Sequence, residues 1–247
     1  MKKILIIGDD VHSERYICSL LFLDKYELFT FYDNEYNLKV YNNKKENIND
    51  FSYIIYTKPL YFDEKILHLL NNYTGILLIE KLQLQLDLFT DLKCKYYFVH
   101  LREFDLFQNK IKFKSENLIK WPNLKYESMD EIYNTLPNIL DVLLFNGITI
   151  NDNISLEILS NTNEAKKISV CLLNENLKFN IEIINTKNKS LHPIINGIEI
   201  EWPNYFLCII ELIKRLEKQR LDYQMSLNRE KKYNKIIKIL EERIWNY

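Results

Sequence analysis

Apolar residues first arrive as an unbroken run, Lys3–Ile7 (KILII), without alternation. A strand covered on both faces reads that way. The period then changes: Tyr16, Leu20 and Leu23 fall at i, i+4 and i+7, a helical stripe. Further short apolar runs follow at Leu28–Tyr32 (LFTFY), Tyr53–Tyr56 (YIIY), Ile76–Ile79 (ILLI) and Tyr96–His100, each read as a strand. Between them Ile66, Leu67, Leu69 and Leu70 predict a helix that Asp63 can cap and Gly75 can end. Leu82–Leu92 predicts another. Strands alternating with helices predict a parallel, doubly wound, Rossmann-like sheet.

The second half has a different rhythm. Ser128-Met129-Asp130-Glu131 has the form of a capping box and opens a helix to about Phe145, with Gly147 beyond it. Pro137 lies inside that helix and is expected to kink or break it. Strand-like runs then follow without helices between them: Ile154–Leu159, Ile168–Leu173, Leu177–Ile184 and Ile194–Glu201. Asn174-Glu175-Asn176 and Asn196-Gly197 mark hairpin turns, Asn-Gly being the stronger signal. Tyr205–Leu221 and Arg229–Trp245 read as charged amphipathic helices. The expectation is an α/β chain with a Rossmann-like dinucleotide-binding domain over 1–118. An α+β domain follows over 119–247, with a mostly antiparallel sheet and C-terminal helices. The boundary is softest around Asn109 to Trp121.

Composition narrows the function classes. The net charge is -1, and Lys231, Lys232, Lys235 and Lys238 are interleaved with Glu230, Glu241 and Glu242, a solvated helix face. No nucleic-acid partner is expected. Cys18, Cys94, Cys171 and Cys208 are scattered, so no metal site is expected and reduced thiols are the default. MKKILII is too short for a signal h-region, and no apolar stretch could span a bilayer, so the expectation is a cytoplasmic protein without a membrane partner. No Gly-x-Ser-x-Gly, Walker loop or His-Glu-x-x-His occurs.

The residues at the strand ends carry a more specific pattern. Ile6-Ile7-Gly8 closes the first strand, Asp33 follows the second, and Thr57-x-Pro59 closes the third. The fourth ends in Ile79-Glu80-Lys81, and the helix from Ser128 runs through Asn134, Asn138 and Asp141. Together these resemble the Gfo/Idh/MocA family of NAD(P)-dependent sugar oxidoreductases. The resemblance implies a cofactor site built from Gly8, Asp10, Val11, Asp33, Thr57, Pro59 and Glu80. It implies a reacting centre at Lys81, Asn134 and Asn138, with Lys81 polarising the reacting hydroxyl or carbonyl. It implies NAD or NADP as cofactor, with Arg15 and Lys58 as possible contacts for a 2′-phosphate. The substrate would be a sugar or nucleotide sugar, and the second-domain sheet would form a homo-oligomer.

Departures from the family pattern lie in the same places. The family's Gly-x-Gly-x-x-Gly is reduced to Gly8, and Asp10 stands at the second glycine, where backbone approaches pyrophosphate. Asp9 and Asp10 place negative charge at a helix start that should attract an anion. The proline after Glu80-Lys81 is Leu82, and the family's Asp/His pair is Asn134 and Asn138. Asparagine has no titratable proton and can orient but not act as a base. The sequence therefore supports two main readings: a hydride-transfer enzyme, and a catalytically degenerate relative acting as a binding or partner subunit. A different transferase or lyase on the same frame is a third.

Overall fold

The computed structural model describes residues 1–58, 64–80, 86–105, 111–123, 129–148, 155–162, 167–174, 176–185 and 192–244. The elements in chain order are β1 (Lys2–Ile7), α1 (Val11–Leu23), β2 (Tyr26–Thr30), β3 (Lys39–Val40), β4 (Phe51–Tyr56), α2 (Glu64–Leu70), β5 (Ile76–Glu80) and β6 (Lys95–Val99). The second half adds β7 (Glu116–Asn123), α3 (Met129–Phe145), β8 (Ser155–Thr162), β9 (Lys167–Asn174) and β10 (Leu177–Asn185). β11 (Ile194–Ile195), β12 (Ile198–Glu199), α4 (Tyr205–Glu217) and α5 (Tyr223–Ile244) complete it.

The chain forms two compact units, 1–106 with 204–231 and 107–203 with 232–247. A single cut at 118/119 does not describe this division, because α4 and the start of α5 join the N-terminal sheet across a gap of about a hundred residues. α5 contributes to both units.

The first unit is built on a six-stranded parallel sheet of order β3-β2-β1-β4-β5-β6. The unbroken apolar run of β1 is explained by its two faces. Ile4 and Ile6 point into one core with Tyr16, Ile17 and Leu20 of α1 and Ile209, Leu212 and Ile213 of α4. Leu5 and Ile7 point into the other with Ile66 and Leu70 of α2, Ile54, Leu77 and Phe98. All of these β1 side chains are fully buried. Each residue is thus demanded by a different layer, as in doubly wound sheets. At about 25 cal/mol per Å² of apolar surface removed from water, these layers are the main favourable term.

Two expectations in this unit change. Leu82–Leu92 is not a helix through its described part: Leu86–Phe89 forms one 3-10 turn, and turn residues follow. Phe89 and Leu92 are buried in the second core there, so the apolar residues serve packing without α periodicity. β2 runs from Tyr26 to Thr30 and ends before Asp33, because Asn34 folds the chain back. Its side chain accepts from the Tyr36 and Leu38 amides at 3.1 and 3.0 Å and donates to Thr30 Oγ1 at 2.8 Å. Asp63, expected to cap α2, lies outside the described residues.

The second unit holds a sheet of order β12-β11-β7-β10-β9-β8, in which only β7 and β10 are parallel. β7 was not legible in the sequence. It carries Pro122 and lies in the stretch read as a boundary. Ile194–Glu201 is not one strand but a hairpin. Asn196 and Gly197 have φ of 54° and 83°, the two left-handed residues of a type I′ turn, and they divide it into β11 and β12. α3 runs from Met129 to Phe145 with Pro137 inside it, so the proline does not break the helix. On α5 the hydroxyl of buried Tyr233 donates to buried Asp141 of α3 at 2.6 Å.

The cysteines give a direct check on this burial. Cys18 is exposed, whereas Cys94, Cys171 and Cys208 are buried. Burial pushes the Cys94 thiol up to about 11 and the Cys208 thiol up to about 12. Since the thiolate is the reactive form, the native protein is expected to show one fast-reacting thiol toward a disulfide reagent at pH 8, with the other three released on unfolding. Fast reaction of Cys208 would contradict the docking of α4 on the first sheet.

Candidate active site

The carboxyl edge of a parallel sheet is where such folds place ligands. Here that edge is formed by the turn after β1, the residue after β4 and the last residue of β5. Gly8 follows β1 directly. A Cβ on it would come within 1.9 Å of Thr57 Oγ1, so the glycine is needed for the close approach of the β4 end. Thr57 is itself buried, and its amide donates to Ile7 O at 3.0 Å.

Asp10 caps α1. Its extended backbone (φ -122°, ψ 175°) turns the carboxylate back over the first turn. Asp10 Oδ1 accepts from the His12 and Ser13 amides at 3.2 and 3.1 Å, and from the Thr57 hydroxyl at 3.1 Å. Ser13 Oγ returns the contact by accepting from the Asp10 amide at 3.1 Å, which completes a capping box. The sequence reads Asp9 and Asp10 as turn and N-cap residues, which Asp10 bears out; the reciprocal contact from Ser13 is what the structure adds. One carboxylate oxygen thereby ties α1, the β1 turn and the β4 end together.

The other expected contacts are also engaged. Asp9 is exposed and pairs with Lys58 Nζ at 3.7 Å. Lys58 in turn lies over the Tyr32 ring at 4.2 Å, and the Arg15 guanidinium lies 3.9 Å from the centre of the Tyr205 ring. Asp33 is exposed in the loop after β2. Val11 is exposed and helps to line a pocket of about 250 Å³ with Glu14, Arg15, Cys18, Ser19, Tyr36 and Phe206, along the outer side of α1.

Glu80 at the end of β5 is buried, and its Oε1 lies 2.5 Å from His12 Nδ1. Below them the fully buried Tyr16 has its phenol held well above its ordinary value, first by burial and then by the Glu80 charge. Nothing in the local sequence links position 12 to position 80; β4 stands between their strands. At the end of β6, Arg229 donates to Glu103 Oε2 at 2.9 Å and to Phe98 O at 3.1 Å, and His100 meets Glu230 at 3.2 Å. Arg102 is buried in the same stretch, 4% exposed, and so is not a surface cation open to an anionic ligand.

The structure thus brings Gly8, Asp10, Thr57 and Glu80 to one edge of the first unit. Asn138 is half-buried on α3 and belongs to the second unit. Asn134 lies on the same helix, with its side chain outside the described residues, and Pro59 and Lys81 also lie outside them. Among the described residues no group of three or more His, Cys, Asp or Glu could hold a metal ion. No helix among them is long and apolar enough to cross a membrane.

The cofactor that this fold implies can be tested against the turn. A dinucleotide diphosphate would need the free amides of the first turn of α1 and positive potential there. Those of His12 and Ser13 are taken by Asp10, and two carboxylates stand at the turn. The residues present do not fit a diphosphate.

No family model matches the sequence, and no curated protein matches it. Solved structures do match. The WlbA (WbpB) dehydrogenase of Thermus thermophilus, solved with NAD and UDP-GlcNAcA, aligns with TM-score 0.70 and 11% identity over 97% of this chain and 94% of that one. The yvaA protein of Bacillus subtilis gives TM-score 0.71 and 11% identity over 98% and 97%. The MviM dehydrogenase of Clostridium difficile gives 0.65 and 12% over 98% and 99%.

Substitutions at Asp10, Gly8 and Thr57 test the turn. Asp10→Ala is expected to lose about 1 kcal/mol of stability in urea unfolding, the usual worth of such a cap, while Asp10→Asn keeps most of it. Gly8→Ala is expected to cost about 1–3 kcal/mol by overpacking, and Thr57→Ala in the same chain to recover part of that. Strictly additive losses would show that the Thr57 contact is not the cause.

The resemblance to the Gfo/Idh/MocA oxidoreductases therefore holds at the level of fold: the protein has the two-unit fold of oxidoreductases such as the NAD-bound WlbA dehydrogenase.

Proposed function

We propose that the protein is a divergent relative of the Gfo/Idh/MocA oxidoreductases in which the dinucleotide turn is closed, so that it works as a binding or partner member of that fold. The observation that carries this reading is the Asp10 carboxylate. It sits on the amides a diphosphate would use, bonded to His12, Ser13 and Thr57 at 3.1–3.2 Å. An internal carboxylate meets those amides without the loss of translational freedom that a cofactor incurs on binding.

A second reading is favoured by the extent of the fold match, 97% of this chain against the NAD-bound dehydrogenase. It is NAD(P)-dependent hydride transfer on a sugar or nucleotide sugar, in a setting such as surface-carbohydrate synthesis. Lys81 would be its polarising cation, Asn134 and Asn138 its orienting amides, and the second-unit sheet its homo-oligomer contact. This reading requires Asp10 to give way.

Titration with NAD(H) and NADP(H), followed by thermal unfolding, separates the two. A cofactor at a hundred times its Kd adds about 2.7 kcal/mol of stability, a shift of several degrees. The expected outcome is no shift at millimolar cofactor; a clear shift would refute the closed turn and favour the second reading instead. Asp10→Gly removes the carboxylate and keeps a tolerated helix start. It is expected to gain a shift with ADP that the natural chain lacks, and equal silence in both would deny Asp10 the assigned role.

A further inference from the structure

The edge that lacks an anion site has another chemical group on offer. His12 lies in the first turn of α1 and Glu80 at the end of β5, and their side chains meet across the end of β4. The contact, 2.5 Å, uses Nδ1 of the ring and Oε1 of the carboxylate. Glu80 is buried, 8% exposed at the side chain, whereas His12 keeps 29% of its side chain open. Among the described residues the other ring nitrogen, Nε2, makes no hydrogen bond to the protein. Among the described residues Glu80 Oε2 and the Tyr16 hydroxyl are both buried without a hydrogen-bond partner of normal geometry. The phenol of Tyr16 lies close enough to Glu80 to interact with it, and a simple tie between α1 and β5 would not require an open Nε2.

With its proton directed from Nδ1 to the carboxylate, a neutral imidazole carries its lone pair on Nε2. We propose that His12, oriented by Glu80, is the hydrogen-bond acceptor for a hydroxyl group of a non-anionic ligand bound at this edge. The ligand O–H would donate to the Nε2 lone pair, and Glu80 would keep that lone pair turned toward it. Glu80 is a positioning residue in this scheme, and protonated Tyr16 lies behind it. The ligand is not an anion because Asp9, Asp10 and Glu14 stand at the same turn, and Lys58 and Arg15 are held by Asp9 with Tyr32 and by Tyr205. The proposal rests on the closed-turn reading only for the edge being free of dinucleotide.

The test uses the full chain with 15N-labelled histidine and diethyl pyrocarbonate as the probe. His12 is expected as the Nδ1–H tautomer, with an unprotonated Nε2 resonance, and to be carbethoxylated at Nε2 under native conditions. His100, buried against Glu230, is expected to remain unmodified until the protein unfolds. Glu80→Leu is expected to move the ring to the Nε2–H form. An Nε2–H ring in the natural chain, or a His12 that resists modification, would overturn the proposal whether or not the Glu80 variant folds. NAD(H) binding would refute the closed turn and with it the non-anionic ligand, whereas an Nε2–H or unreactive His12 in a chain that does not bind NAD(H) would refute the His12 assignment alone.

Discussion

The first turn of α1 depends on one carboxylate. A helix start presents amides with no partner of their own and a positive end of the backbone dipole. Many sheets of this kind leave that demand open for a phosphate. In this protein Asp10 meets it from within, and the consequences spread outward. The hydroxyl of Thr57 joins the same oxygen, which draws the end of β4 against the turn. That approach leaves no room for a Cβ at position 8, so the glycine survives for packing when its two usual companions are gone. The same residue that orders the edge removes its attraction for an anion.

Charge at this edge is handled by pairing rather than by solvent. Glu80 meets His12, Glu103 meets Arg229 and the Tyr97 hydroxyl, and Glu230 meets His100. The His12–Glu80, Glu103–Arg229 and His100–Glu230 pairs join elements distant in sequence, so they fix how α1 and α5 meet the ends of β5 and β6. Buried pairs of this kind are weak evidence for stability, since desolvation offsets their attraction. Removing one partner alone is costly, which makes them good specifiers of position.

The sheet was legible because two-sided burial leaves an unbroken apolar run, and β1, β4, β5 and β6 all carry one. The Asn196-Gly197 hairpin was legible because only residues tolerant of positive φ form such a turn. β7 escaped notice because it carries Pro122 near its end and lies where polar residues suggested a boundary. The stretch at Leu86–Phe89 looked helical because its leucines pack, yet packing sets burial and not periodicity. At the candidate site, the loss of glycines could be read directly. So could the capping role of Asp10, though not the contact that Ser13 returns. The His12–Glu80 contact could not, since no local rule connects residues on α1 and β5 that meet only after the sheet has formed.

The position of α4 has a consequence for how the chain comes into being. Ile209, Leu212 and Ile213 cover the face of β1 that carries Ile4 and Ile6, but the segment holding them follows the whole second sheet in sequence. During synthesis the ribosome must therefore make some two hundred residues before the earliest strand can be sealed on that side. Until then α1 alone covers that face, and the part that α4 will take stays exposed for many seconds at ordinary elongation rates. In a chain of this topology the first sheet is completed only after the second has been synthesised.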